Sequence, residues 1–424
     1  MSAPVALLRA ETFTRAQFLT LTAAVLGWMF DGMEMGIFPL VARPALKAMG
    51  ATGGLDPKAL EGFVQTWMGI VTAFFLLGAA AGGLVFGWLG DRVGRVRAMT
   101  LSILCYSIFT GLCYFAQAPW QLASLRFIAA LGMGGEWALG VALVMESWPG
   151  QRRPLLAGII GAAANVGYML IALIGIFFPI TGTSWRWVML VGAAPALLTF
   201  FIRLFVPESE KWRAAVAERK AHPVREILSA PLLKHTLLGI GFASVALIVT
   251  WGIVQWIPLW ADQMTGGLAP KMKAWGQFWQ SIGAVFGCLV AALAGGLFGR
   301  RATYCALCLS SLVICQWLFH SFSAVSNAFF GVTFLVGFFT ASFYGWLPLY
   351  LPELFPTRVR ATGQGMAFNS GRILAALGAW QMPWLMAHFD HSYAKAGSAV
   401  SLVYLVGAVL IWFAPETKGR PLPE

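Results

Sequence analysis

The sequence predicts an all-α integral membrane protein, with twelve transmembrane helices arranged as two pseudo-symmetric six-helix bundles. Three observations carry this reading. Of 424 residues, 59% are hydrophobic and 11% charged, with a mean hydropathy of +0.74, against about 25% charged in a soluble protein. Long stretches contain no Asp, Glu, Lys or Arg. Several motifs recur in the same order in the two halves of the chain. The composition excludes a soluble enzyme, a disordered chain and a nucleic-acid binder. The net charge of +12, from 29 basic and 17 acidic residues, is read as loop charge on one side of a bilayer. Cys105, Cys113, Cys288, Cys305, Cys308 and Cys315 all lie in apolar runs and are read as packing thiols.

The spans follow from charge-free intervals. None of the four charged residue types occurs between Glu61 and Asp91, Arg97 and Arg126, Arg153 and Arg186, Lys234 and Asp262, or Lys273 and Arg300. The interval from Arg301 to Glu353 is free for 51 residues, room for two spans with a turn near His320 and Ser326. A helix needs about 20 apolar residues to cross roughly 30 Å of hydrocarbon. The runs lack the alternation of a barrel strand, and lipid requires backbone hydrogen bonds to close within each helix. In order, the spans are expected at 17–42, 63–89, 98–117, 121–147, 154–179, 185–205, 236–260, 274–298, 302–320, 327–350, 362–387 and 396–414. The first is read as a retained span rather than a signal peptide. The expected units are residues 1–205, a cytoplasmic connecting loop at 206–235, and residues 236–424.

Lys and Arg set the orientation. With the N-terminus inside, nineteen fall in inner segments and seven in outer ones, and Arg126, Arg203 and Arg372 lie within spans. Both termini are therefore expected in the cytoplasm. The connecting loop carries six of the nineteen, among them Lys211, Arg219 and Lys220, and is read as a solvated surface helix beside anionic lipid.

The repeat is specific. Arg95 matches Arg300 at an offset of 205, and Glu146-Ser147-Trp148-Pro149 matches Glu353-Leu354-Phe355-Pro356 at 207. Gly161, Asn165 and Gly167 match Gly365, Asn369 and Gly371 at 204, and Pro207-Glu208-Ser209 matches Pro415-Glu416-Thr417 at 208. Two halves in parallel orientation imply a binding site between them near the membrane midplane.

These residues resemble the major facilitator superfamily. Gly87-Trp88-Leu89-Gly90-Asp91-Arg92-Val93-Gly94-Arg95 is similar to the superfamily's loop motif between spans two and three. Pro207-Glu208-Ser209 and Pro415-Glu416-Thr417-Lys418-Gly419 resemble the sugar-porter branch. Gly134-Gly135-Glu136-Trp137, Glu146-Ser147-Trp148-Pro149 and Asp31-Gly32-Met33-Glu34 are closer to the sialate/lactate proton symporters and the aromatic-acid symporters. Three departures stand out: Val96 where a basic residue is usual, Gly296 at the position of Asp91 in the second half, and no paired glutamines in span seven. The resemblance implies the major facilitator fold, a gating latch of Asp91, Arg92, Arg95, Glu146, Arg153, Glu353 and Arg360, and a proton-coupling pair of a span-one acid with a span-four arginine.

Charges at membrane depth cost at least about 2.5–3.5 kcal/mol each. Asp31 and Glu34 share one face of span one. Asp31 lies about 21 Å from the inner side, and Arg126 about 10 Å from the outer side, which are matching depths. Asp31 and Arg126 are therefore expected to pair, with Glu34 and Glu136 also serving proton coupling. Arg372 lies about 15 Å into span eleven, without a nearby acid in sequence. It is read as a clamp for a substrate carboxylate, with a salt bridge to a first-half acid as the alternative. Asn369, Asn165, Tyr168, Trp251, Gln255, Trp256, Gln277, Gln280 and Tyr344 complete the expected cavity.

The function expected is proton-coupled symport of a small organic anion, a mono- or sugar-carboxylate, by alternating access in a bacterial inner membrane. A neutral sugar or polyol symporter and a non-transporting membrane sensor are the alternatives. No enzyme activity, metal or cofactor is expected, since the chain has no nucleophile–base set, metal cluster or nucleotide loop. The partners are the substrate, protons and lipid, and the protein is expected to be a monomer.

Overall fold

The computed structural model describes residues 14–54, 56–178, 180–218, 222–252, 254–265, 271–381, 384–385, 388–390 and 392–424. Arg9, Arg219, Lys220 and His391 lie outside them. The described residues form helices and connecting turns. Ten helical stretches are long and apolar enough to cross a membrane. Two further stretches, at 185–205 and 360–380, complete the twelve crossings.

The first half contains α1 (Arg15–Thr52), α2 (Pro57–Val93), α3 (Arg95–Leu112), α4 (Pro119–Ser147), α5 (Arg153–Phe177), α6 (Trp185–Val191) and α7 (Ala196–Phe205). The connecting segment holds α8 (Glu210–Glu218) and α9 (Pro223–Ile227). The second half follows with α10 (Ala230–Gly252), α11 (Ile257–Met264), α12 (Lys271–Phe298), α13 (Arg300–Ser321), α14 (Asn327–Ala341), α15 (Phe343–Leu354), α16 (Arg360–Trp380), α17 (Tyr393–Ser401) and α18 (Val403–Leu410).

Local chemistry sets several boundaries. Thr14 and Gln17 form a capping box at the start of α1. Pro119 occupies the first turn of α4, where its missing N–H costs nothing. Helix α1 runs ten residues past the expected end at 42, through Pro44, and Gly53 caps it. The expected sixth span is two helices, interrupted by a turn at 192–195 that carries Pro195.

The repeat appears as repeated contacts. Gly94 (φ 113°) and Gly299 (φ 98°) start α3 and α13 in a backbone region that favours glycine. In each case a remote glutamate caps the helix. Glu208 accepts from the N–H groups of Arg95 and Val96, and Glu416 from those of Arg300 and Arg301. The next residue then bonds a buried acid: Ser209 donates to Glu146 and Thr417 to Glu353. The two Pro-Glu-Ser/Thr motifs thus supply the N–H acceptors that α3 and α13 lack.

Glycines let helices within each half touch through backbone alone. A Cβ at Gly78, Gly82, Gly283 or Gly287 would sit 2.2 Å or less from the carbonyl of Phe127, Leu131, Phe334 or Phe338. Between the halves, α16 packs on α2 and α4, while α5 packs on α12 and α15. Phe18, Leu101, Ile108, Phe177, Trp187, Leu297 and Trp412 lie on the outer surface, the apolar exposure that a lipid-facing wall requires.

Candidate functional site

A cavity lies between the halves. Trp28, Met35, Asn165 and Tyr168 face it from the first half, and Thr250, Trp251, Gln255, Gln277, Gln280, Tyr344, Phe368 and Arg372 from the second. It has about 60 Å³ of free space, less than the about 300 Å³ of a small-molecule site, so its walls must part to admit a substrate.

Hydrogen bonds across the cavity tie its walls. Gln255 Nε2 donates to the Tyr168 hydroxyl at 2.7 Å, and Gln277 Nε2 to the Tyr168 carbonyl at 3.2 Å. The Tyr344 hydroxyl donates to Thr250 at 2.9 Å. Phe368 stacks on Trp137 with centroids 4.2 Å apart and meets Trp28 and Tyr344 edge-on, giving the cavity an aromatic floor. Trp256 is turned away; its indole bonds the Trp251 carbonyl and its ring packs on Tyr393.

The expected Asp31–Arg126 pair does not form. Arg126 bonds Glu34, and its guanidinium lies over the rings of Phe75 and Phe38 at 4.6 and 5.2 Å. Glu34 lies one turn further along α1, and its longer side chain reaches the cation. Both Asp31 oxygens and both Glu136 oxygens are buried without a hydrogen-bond donor. The two carboxyl groups act on each other electrostatically, and Arg372 is the cation whose field acts on Asp31. Gly27 makes room for the Glu136 carboxyl, since a Cβ there would lie 1.7 Å from it. The Tyr106 hydroxyl, also buried and unpartnered, faces Glu136. No sequence motif marks Tyr106, Thr250 or Phe368.

Arg372 reaches the cavity wall while its Nη1 donates to Asn369 Oδ1 at 2.5 Å. Its Nε has no partner. Asn369 is behind the wall, fully buried, and does not face the cavity. Asn165 does face it, and bonds the Gly161 carbonyl at 3.3 Å.

A second polar cluster lies where α3, α4 and α16 converge, near the Asp91–Arg95 loop. Arg95 bonds Asp91, Glu146 and the Thr357 carbonyl. Across the halves, Arg360 bonds Glu146 at 3.3 Å, and Asp91 accepts from the backbone and hydroxyl of Thr362. The counterpart is local to the second half: Arg300 grips Glu353 through two bonds of 3.0 and 2.7 Å. Two expected members stand apart. Arg92 is exposed over the Trp88 ring at 4.8 Å, because the helical turn at Asp91 aims it outward. Arg153 lies near Glu353 and Arg300, but its Nε makes no hydrogen bond. At the position of Asp91, Gly296 meets Pro154 instead of a polar group.

Residues 21–379 match the Major Facilitator Superfamily. The chain belongs to this superfamily. Among curated relatives, this superfamily member is 30% identical over 94% of its length to a protein of Cupriavidus pinatubonensis named as a probable 4-methylmuconolactone transporter, covering 91% of that chain. It is 27% identical to a sialic acid transporter of Escherichia coli, over 92% of both chains. Its fold matches the solved structure of the proton:xylose symporter XylE bound to 6-bromo-6-deoxy-D-glucose, with a TM-score of 0.80, 19% identity and coverage of 96% and 98%. The superfamily membership and the many apolar helices make it a multi-pass membrane protein.

Proposed function

We propose that this major facilitator is a proton-coupled symporter of a small organic anion, working by alternating access. The observation that carries the reading is Arg372: it presents a guanidinium at the cavity wall while the acid in its field, Asp31, has no hydrogen-bond donor. A substrate carboxylate engages Arg372 through its planar fork. It thereby competes for the positive charge near Asp31. Asp31 then takes a proton, because a buried carboxyl without its counter-charge is favoured in the neutral form. Glu136, facing Asp31, shares that proton. Anion and proton load together, and the halves rock around the filled site.

The Asp91, Arg95, Glu146, Arg360 and Thr362 cluster closes one end. Arg92 and Arg153 stand outside it, and Glu353 pairs with Arg300 instead. The nineteen-to-seven charge bias supports placing that end and both termini in the cytoplasm, with the protein in a bacterial inner membrane. The relatives named for a muconolactone and a sialic acid support an organic-acid substrate.

The test is purified protein in liposomes with an imposed pH gradient and a panel of carboxylates, their amides and neutral polyols. Carboxylates are expected to accumulate and to stabilise the protein thermally; a ligand at 100 times its Kd adds about 2.7 kcal/mol. Accumulation of polyols alone would overturn the anion reading. That second reading draws support from the amides of Asn165, Gln255, Gln277 and Gln280 on the cavity wall.

A further inference from the structure

We infer that Asn369 is a positioning residue that makes Arg372's readiness for substrate depend on closure of α16 against α2 and α4. The inference rests on the proposed role of Arg372 in anion binding.

Asn369 is fully buried and uses its whole amide group. Its Oδ1 accepts from Arg372 Nη1 at 2.5 Å. Its Nδ2 donates to the Gly365 carbonyl of its own helix and, across the interface, to the Gly134 carbonyl of α4, both at 3.0 Å. Gly134 is two residues from Glu136. One amide therefore joins the cavity arginine of one half to the helix carrying the proton-site acid of the other. The link needs an empty place on α2: a Cβ at Gly83 would lie 2.0 Å from Nδ2 and 2.7 Å from the Asn369 Cβ.

The repeat supplies an internal control. Asn165, Cys288 and Ala341 stand where Asn369, Gly83 and Gly134 stand, at offsets of 204, 205 and 207. There the space is filled. Cys288 Sγ takes the Ala341 carbonyl at 3.1 Å, and Asn165 meets the sulfur at 3.6 Å. No guanidinium hangs on Asn165; the residue three positions on is Tyr168. Of these two interfaces, the α16 one has both the vacant glycine place and the arginine.

When α16 parts from α4, the Gly134 bond breaks and the amide is free to turn. Arg372 then loses the acceptor that fixes its Nη1. Its planar fork is aligned for a carboxylate while this interface is closed and misaligned when it opens, which favours release of the anion on that side.

The experiment uses the full-length protein carrying Asn369→Ala, Gly83→Ala, both together, or Cys288→Ala. Phenylglyoxal modification of Arg372, located by peptide mass mapping, reads the guanidinium without any substrate. Binding of benzoate and N-acetylneuraminate, each against its amide, reads the carboxylate preference. Asn369→Ala and Gly83→Ala are each expected to speed Arg372 modification severalfold. Each should lower carboxylate affinity about tenfold, the size of one lost hydrogen bond to a charged group, with amide binding within about twofold. In the double variant Gly83→Ala should add less than it does alone, because the amide it displaces is gone and only the contact with the Cβ at 369 remains. Cys288→Ala should leave both readouts at wild-type values. Wild-type Arg372 reactivity and carboxylate preference in Asn369→Ala would overturn the inference, as would fully additive effects in the double variant. If Arg372→Ala also leaves the carboxylate preference unchanged, the proposed function fails instead; if only the Asn369 and Gly83 variants are silent, the linkage alone fails.

Discussion

Arg126 is closed onto Glu34, and Asp31, one turn earlier on the same helix, is left without a donor. The two acids of α1 therefore do different jobs. Glu34→Gln would leave a buried guanidinium uncompensated, a loss of about 3–5 kcal/mol, read as a large drop in Tm. Asp31→Asn removes an unpaired buried acid and should leave Tm equal or higher. It should abolish accumulation driven by a pH gradient while sparing substrate exchange. Wild-type accumulation by Asp31→Asn would place the coupling proton elsewhere.

Arg372→Ala should weaken carboxylate binding roughly thirtyfold or more, since a lost hydrogen-bonded charge pair costs about 2–5 kcal/mol. Arg372→Lys should recover only part, because an ammonium cannot form two parallel bonds. Equilibrium binding to the purified variants checks both.

The Asp91, Arg95, Glu146 and Arg360 cluster spans the halves, while Arg92 does not take part. Asp91→Asn or Arg360→Met should raise maleimide labelling of a cysteine placed at the loop end of the cavity and slow transport. Arg92→Ala should keep transport within about twofold. Equal effects from all three would mean that general surface charge, not the cross-half bonds, holds this end closed.

Burial raises the Glu416 carboxyl, but the backbone N–H groups of Arg300, Arg301 and Lys418 outweigh it and hold the group below the usual carboxylate range. A depressed folded value stabilises the protein above the unfolded value, and that stability is lost as pH falls through the folded one. Glu416→Gln should therefore lower Tm near neutral pH, by the equivalent of about 1 kcal/mol or less for this partly exposed cap. The gap from wild type should close in acid. A gap independent of pH would mean that shape, not charge, caps α13.

Composition and charge-free runs made the twelve crossings legible because they record burial in lipid, and the repeat made the two halves legible because its motifs make the same helix-end contacts in each. Depth along a helix placed Asp31 level with Arg126 but could not say which of two acids on one face reaches the cation. That depends on one extra methylene in Glu34 and on the tilt of α1 against α4. Arg372 was legible as a midplane cation. Its acceptor was legible only as a neighbour, since sequence does not reveal that Asn369 faces α4 rather than the cavity. Tyr106 carries no signal, because a buried tyrosine in an apolar span reads as packing until an acid is found beside it.

The glycine contacts with the carbonyls of Phe127, Leu131, Phe334 and Phe338 hold α2 on α4 and α12 on α14 at backbone distance. Each of these helix pairs therefore has little freedom to slide at those points. A bilayer thicker or thinner than the protein's apolar belt has to be met by tilting six helices as a unit. Lipid thickness then acts on the angle between the halves, the same coordinate that the proposed rocking uses. Transport rate should consequently vary with acyl-chain length in reconstituted vesicles even where substrate affinity in detergent does not.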